Sequence, residues 1–193
     1  MAARINIGLD NGKAHTFTPK SRKDLELLVD EVNSMRILKH TSLMFASDQY
    51  LAHIQPKSIE IIRCYLPDDN QQPPGADAED IVEITKDMLV EEYLQLPEAE
   101  KFSSRHKQPG EFMTTFLEIH TEGNVELFLR LYLRKKQAQE GRMFITKLFE
   151  QPFFRFRLPE GGFGMLVPAK INCQYTYPGP GRDVLPEGVF TVE

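Results

Sequence analysis

Residues 4–18 read Arg-Ile-Asn-Ile-Gly-Leu-Asp-Asn-Gly-Lys-Ala-His-Thr-Phe-Thr. Ile5, Ile7 and Leu9 fall on every second position, the period of a strand with one buried face. Asn11-Gly12 then offers two residues that tolerate positive φ, so the spacing predicts a β-hairpin with a type I′ turn and a return strand over 14–18. Ser21 follows as a helix N-cap with Asp24 three residues on, an approximate capping box, and Leu25, Leu28, Val29 and Val32 recur at helical spacing. Strand runs over 42–46, 50–54 and 58–66 complete the unit. The last begins just behind Pro56, which cannot donate to a ladder and suits a strand border.

Farther along, the same order returns. Residues 112–120 alternate, Thr121-Glu122-Gly123-Asn124 turns, and 125–133 returns as a strand. A less regular stretch over 134–149 has room for a helix that Gly141 weakens. Strand runs over 153–158, 163–167 and 170–177 follow, with the turn Pro159-Glu160-Gly161-Gly162 between the first two. A shift of 112 residues places Ile5 on Leu117, Ile7 on Ile119, Ile54 on Leu166, Pro56 on Pro168, Ile59 on Ile171 and Tyr65 on Tyr177. That agreement suggests a duplicated hairpin, helix and strand meander. The competing reading is that two half-buried meanders align this well by pattern alone.

Charge divides the chain. Residues 66–111 carry 12 acidic against 4 basic side chains, while the flanks are nearly neutral and the whole chain is at -5. Residues 77–95 are predicted to form one amphipathic helix, with Ile81, Ile84, Met88 and Leu89 as its stripe, Val82, Tyr93 and Leu96 beside it, and Asp77 as cap. The expected class is therefore α+β: a first unit over 1–66, an acidic helical connector over 67–111, and a second β-rich unit over 112–193. The second unit ends in a Pro- and Gly-rich tail in which 189–192 reads as a possible edge strand. Ten of the 13 phenylalanines lie between Phe112 and Phe190, which assigns the larger core to the second unit.

Several function classes are disfavoured. Net acidity argues against a general binder of nucleic acid or anionic membrane, which needs excess Lys and Arg. No apolar run is long enough to span a bilayer, and the opening residues lack a basic region followed by an apolar stretch; a cytoplasmic protein is expected. Cys64 and Cys173 have no metal-spaced neighbours and are expected to be buried thiols. The nucleophile elbow and the glycine-rich phosphate loops are missing, and Gly161-Gly162-Phe163-Gly164 has no helix after it to hold a phosphate.

Two constellations remain. Glu118, His120 and Glu122 lie at period two on one strand face, a geometry suited to a divalent ion or to acid–base work, although the same alternation suits an ordinary solvated face. Arg130, Arg134, Lys135, Lys136 and Arg142 precede the second meander, and Arg155 and Arg157 alternate with Phe154 and Phe156 inside it. Forked guanidinium donors suit phosphate or carboxylate; the competing reading is a strand with phenylalanines inward and arginines outward.

Arg130-Leu131-Tyr132-Leu133-Arg134, with Arg157-Leu158-Pro159-Glu160-Gly161-Gly162 after it, resembles a degraded form of the PilZ pattern, Arg-x-x-x-Arg and then Asp/Asn-x-Ser-x-x-Gly. Arg157 stands where that pattern has Asp or Asn, and Pro159 where it has Ser. The resemblance implies a small β-barrel whose arginines hold cyclic di-GMP. From the residues themselves, the first expectation is a non-enzymatic binding or assembly protein without a cofactor, acting on a protein partner or on itself through exposed strand edges. The second is an anion or cyclic-dinucleotide sensor using Arg130, Arg134, Arg155 and Arg157, and the third a metal-dependent enzyme around Glu118, His120 and Glu122.

Overall fold

The computed structural model describes residues 3–34, 36–46, 50–66, 80–97, 112–134 and 149–178. In chain order these contain β1 (Arg4–Leu9), β2 (Ala14–Phe17), α1 (Arg22–Asn33), β3 (Leu43–Ala46), β4 (Leu51–Ile54), β5 (Ile59–Tyr65), β6 (Asp80–Ile84), α2 (Lys86–Gln95), β7 (Phe112–Thr121), β8 (Glu126–Arg134), β9 (Phe154–Arg157), β10 (Gly162–Leu166) and β11 (Ile171–Tyr177). Nine strands form one sheet in the order β11-β7-β8-β6-β9-β10-β5-β1-β2, and β3 pairs with β4 as a separate ribbon. The sheet is antiparallel except where β6 meets β9. The class is mixed α and β, with a large, mostly antiparallel sheet. Strands from 1–66, 67–111 and 112–193 all share it.

The expected helix over 77–95 is corrected. Asp80–Ile84 is a strand, and the helix begins only at Lys86, capped by Thr85, whose Oγ1 accepts from the Met88 amide at 3.2 Å. The cause is tertiary: β6 pairs along β8 from Asp80↔Tyr132 to Ile84↔Phe128 and meets β9 at Val82↔Arg157, so a helix here would leave a gap in the middle of the sheet. The remaining stripe on α2 is Leu89, Tyr93 and Leu96, packed over Ile84, Phe116 and Phe128, while Met88 stays outside it. The expected cap Asp77, residues 135–148 of the expected helix over 134–149 and the tail strand over 189–192 lie outside the described residues.

Local turns also sharpen. Gly12 alone in the first turn takes positive φ, at 77°, and Leu9 N–H donates to the Lys13 carbonyl while Gly12 N–H donates to the Leu9 carbonyl. This is a three-residue loop ending in a left-handed residue rather than the expected type I′ turn. The β7–β8 turn is built alike: Thr121 donates to Val125, Asn124 donates to Thr121, and Asn124 has φ of 61°. The helix start is as read, with Ser21 Oγ accepting from the Asp24 amide at 3.1 Å.

The two hairpins keep one numbering offset through their pairing. β1 pairs with β5 from Arg4↔Tyr65 to Gly8↔Ile61, slips by one residue, and closes at Leu9↔Ile59. β7 pairs with β11 from Phe116↔Tyr177 to His120↔Cys173, slips at the same place, and closes at Thr121↔Ile171. Every number in the second set exceeds its counterpart by 112. The 3-10 turns Pro56–Ser58 and Pro168–Lys170 keep the offset too. The offset fails by one residue between the ribbon and β9–β10, since Leu43↔Ile54 would become Arg155↔Leu166, whereas Leu166 faces Phe154.

The nine-stranded sheet curls on itself. Arg63 on β5 reaches Glu83 on β6 with β10 and β9 between them, a span of three strand spacings that no flat sheet would allow those side chains to bridge. The concave side encloses Ile61, Ile81, Leu117, Ile119, Leu127, Leu129, Leu131, Phe154, Phe156 and Leu166. On the convex side, α1 and the β3–β4 ribbon cover Ile5, Ile7, Ile62, Cys64, Phe163 and Met165, and α2 covers the smaller patch around Phe116. Each fully buried large side chain contributes about 1.5–3 kcal/mol, so these clusters decide the curl more than any polar contact.

Candidate functional site

β8, β6 and β9 bring three of the four expected arginines together. The register Arg157↔Val82↔Arg130 aligns them across neighbouring strands on the convex face, with Arg155 two residues along on the same side. Phe154 and Phe156 point the other way into the core, so the alternation of phenylalanine inward and arginine outward holds. Arg130 is not an idle cation: its Nη1 donates to both Glu92 carboxylate oxygens, at 2.9 and 3.1 Å, tying α2 to the sheet. Arg155 lies 5.5 Å from the centre of the Phe153 ring, and burial lowers its pKa from the ordinary arginine value. Arg134 ends β8 opposite Phe112, and its side chain lies outside the described residues.

The acid–histidine strand divides. His120 Nε2 lies 3.1 Å from Glu118 Oε1, and the Tyr177 hydroxyl donates to Glu118 Oε2 at 3.0 Å. Burial, then the hydrogen bond to Glu118, raises the Tyr177 pKa, so it remains a phenol donor at neutral pH. Glu122 takes no part; it pairs with Lys170 at 3.2 Å. The turn that follows Thr121 carries Glu122 away from the strand face that period two assigned to it. Among the described residues, no three His, Cys, Asp or Glu side chains gather in a way that could hold a metal ion.

The sequence did not single out the contacts where the two hairpin turns meet. Lys170 Nζ donates to Asp10 at 2.8 Å and to Glu122, bridging the turns, and its pKa is raised chiefly by the Asp10 hydrogen bond. Gly123 N–H donates at 2.9 Å to Oε2 of Glu60, which is fully buried, and Glu60 Oε1 has no hydrogen-bond partner. A Cβ on Gly123 would sit 2.4 Å from the Leu9 carbonyl oxygen, so glycine is required by the approach of the turns. Arg63 and Glu83 form a bidentate pair on the concave side, at 2.7–3.1 Å. The available signal was the presence of Glu60 and Arg63 in an otherwise apolar strand. These groups hold elements together; none is arranged as a nucleophile with its base.

One of the two cysteines differs from expectation. Cys64 is buried and its pKa is pushed up to about 12 by that burial, but Cys173 on β11 is exposed. The cause is positional: Cys64 lies beneath α1 and the ribbon, while β11 is the last strand of the sheet. Large apolar side chains are also exposed on the ribbon, Met44 at 64% and Leu51 at 56%, and on β11, Tyr175 at 50%. No helix among the described residues is long and apolar enough to cross a membrane.

Comparison of the chain with known protein families, with curated proteins and with solved structures finds no match.

Proposed function

We propose that this chain is a non-enzymatic binding or assembly protein of the cytoplasm, built from a duplicated hairpin, helix and meander unit, and that it works through its exposed strands. The observation that supports this reading is the exposure of apolar strand positions whose counterparts at the 112-residue offset are buried. Leu51 of β4 is 56% exposed, while Phe163 at the same place in β10 is 1% exposed. Contiguous exposed apolar strand surface marks sites of association. The common register of the two hairpins, including the slip, supports the duplication.

The test pairs sedimentation with affinity capture from cell extract, using wild type and a Met44→Ser/Leu51→Ser variant. Self-association or captured proteins lost in the variant fit the reading. A wild type that stays monomeric and retains the same proteins as the variant overturns it.

The row Arg157–Val82–Arg130 favours one second reading, a site for a phosphate-bearing ligand such as a cyclic dinucleotide. Calorimetry should then show binding that Arg130→Ala and Arg157→Ala abolish. Absence of heat with wild type ends that reading.

A further inference from the structure

We infer that a second copy of this chain docks its β4 edge against β11, in the register that β10 already uses against β5. The inference rests on the assembly reading above and names the partner and the contact. β10 uses one edge for β9 and the other for β5, pairing from Gly162↔Tyr65 to Leu166↔Ile61. β5 in turn uses its remaining edge for β1. The strands at the corresponding places are β4 and β11. β4 uses one edge for β3 and β11 uses one edge for β7, and among the described residues the second edge of each pairs with no strand.

Moving the β10–β5 register by the offset, 112 down for β10 and 112 up for β5, sets Leu51 opposite Thr176, Ala52 opposite Tyr175, His53 opposite Gln174 and Ile54 opposite Cys173. The two edges suit each other. Neither β4 nor β11 contains proline, lysine, arginine or an acid, the residues by which edge strands ordinarily repel other chains. Pairing would set Leu51 beside Thr176 and Tyr175 beside Ala52, giving each of the large apolar side chains exposed on these strands a cross-strand neighbour.

The partner edge is assigned to another molecule because, among the described residues of one chain, β4 pairs only with β3 in the ribbon and β11 only with β7 at the end of the nine-stranded sheet. Ile54 packs in the core beneath α1, whereas Ile171 packs in the concave core and Tyr177 beside α2. Two copies about a twofold axis would make the contact twice, each giving β4 and receiving it on β11.

Cross-linking in a Cys173→Ser background tests this, with Cys64 left in place because it is buried. His53→Cys chains are mixed with Gln174→Cys chains and oxidised, and Ala52→Cys mixed with Gln174→Cys serves as a control one residue out of register, whose side chain faces the other side of the strand. Wild type is followed by sedimentation in parallel, with Leu51→Lys as the edge-blocking variant. The expected result is a dimer lost in Leu51→Lys, and an inter-chain disulfide for the matched pair and not for the control.

A dimer that forms no matched disulfide overturns the proposed contact and leaves the assembly reading standing. A wild type that is monomeric at every concentration overturns the contact, and the capture experiment then decides the broader reading on its own. A disulfide formed within single chains of the His53→Cys/Gln174→Cys double variant also overturns it, since the edges would then close inside one molecule.

Discussion

β5 and β11 hold the same place against their hairpins and live in different surroundings. β5 is buried along Ile59–Ile62 and at Cys64, with β10 on one edge, β1 on the other and α1 over its convex face. β11 repeats the register residue for residue, yet from Asn172 to Tyr175 it is exposed. Pairing register is a local property, set by the hairpin, its turn and the slip that follows. Burial is set by what lies over the strand's faces as well as along its second edge, and those neighbours belong to other parts of the chain.

The largest expected contrast is chemical. Raising the Cys64 pKa from 9.0 to about 12 cuts its thiolate fraction about 10³-fold at neutral pH, and burial denies reagents access as well. Alkylation of native protein should therefore label Cys173 fast and Cys64 only as the protein unfolds. Mass spectrometry of the labelled peptides checks it; equal labelling rates would remove the distinction between the two strands. If β11 is covered by a second copy, Cys173 labelling should slow as protein concentration rises.

Gly123 and Asn11 occupy the same position in the two turns, and the next contrast lies between them. A Cβ at Gly123 meets the Leu9 carbonyl oxygen at 2.4 Å and both oxygens of Glu60 within 2.8 Å, all held in the interior. Gly123→Ala should cost about 3 kcal/mol, at the upper end of overpacking penalties. Asn11 is exposed and supplies one acceptor to the Lys13 amide, so Asn11→Ala should cost about 0.5 kcal/mol. Urea unfolding of both variants is the measurement, and similar losses would show that the turns do not press together as described.

Arg63 on β5 corresponds to Tyr175 on β11. Arg63→Met leaves Glu83 without its bidentate partner at 19% exposure, which should cost about 2 kcal/mol, below the 3–5 expected for a fully buried pair. Tyr175→Met, at 50% exposure, should change monomer stability by no more than about 0.5 kcal/mol. Thermal melts at low concentration separate the two. A Tyr175→Met loss as large as that of Arg63→Met would mean that β11 is already covered within the monomer.

What the sequence made legible follows the same division. Hairpins, the Ser21 cap, the alternation of phenylalanine and arginine on β9, and the offset of 112 were all readable, because each depends on neighbours within a few residues or on repeated spacing. The strand nature of Asp80–Ile84 was not, since Ile81, Ile84 and Leu89 also satisfy helical spacing and only β8 and β9, far along the chain, decide otherwise. The exposure of Cys173 was missed for the same reason. Glu118 and His120 were placed correctly as strand neighbours, but Glu122 was lost to the turn. The Lys170, Glu60 and Gly123 contacts depend on the curl of the sheet, which carries no local signature.

The smallest expected effect concerns Lys170, whose counterpart is Ser58. Lys170 holds Asp10 and Glu122 on the two turns, and these contacts raise its pKa above 10.5 in the folded chain. A raised cationic pKa contributes stability that is fully present below the unfolded-state value and is lost as pH rises through the folded value. Lys170→Met should therefore be less stable than wild type at neutral pH, by about 1 kcal/mol or less for a partly solvated pair. The difference should shrink in strongly alkaline solution, where the lysine of the wild type is neutral. Ser58→Ala, which removes no charge, should show a pH-independent difference. A gap between wild type and Lys170→Met that persists unchanged at high pH would assign the lysine's contribution to packing of its stem rather than to its charge.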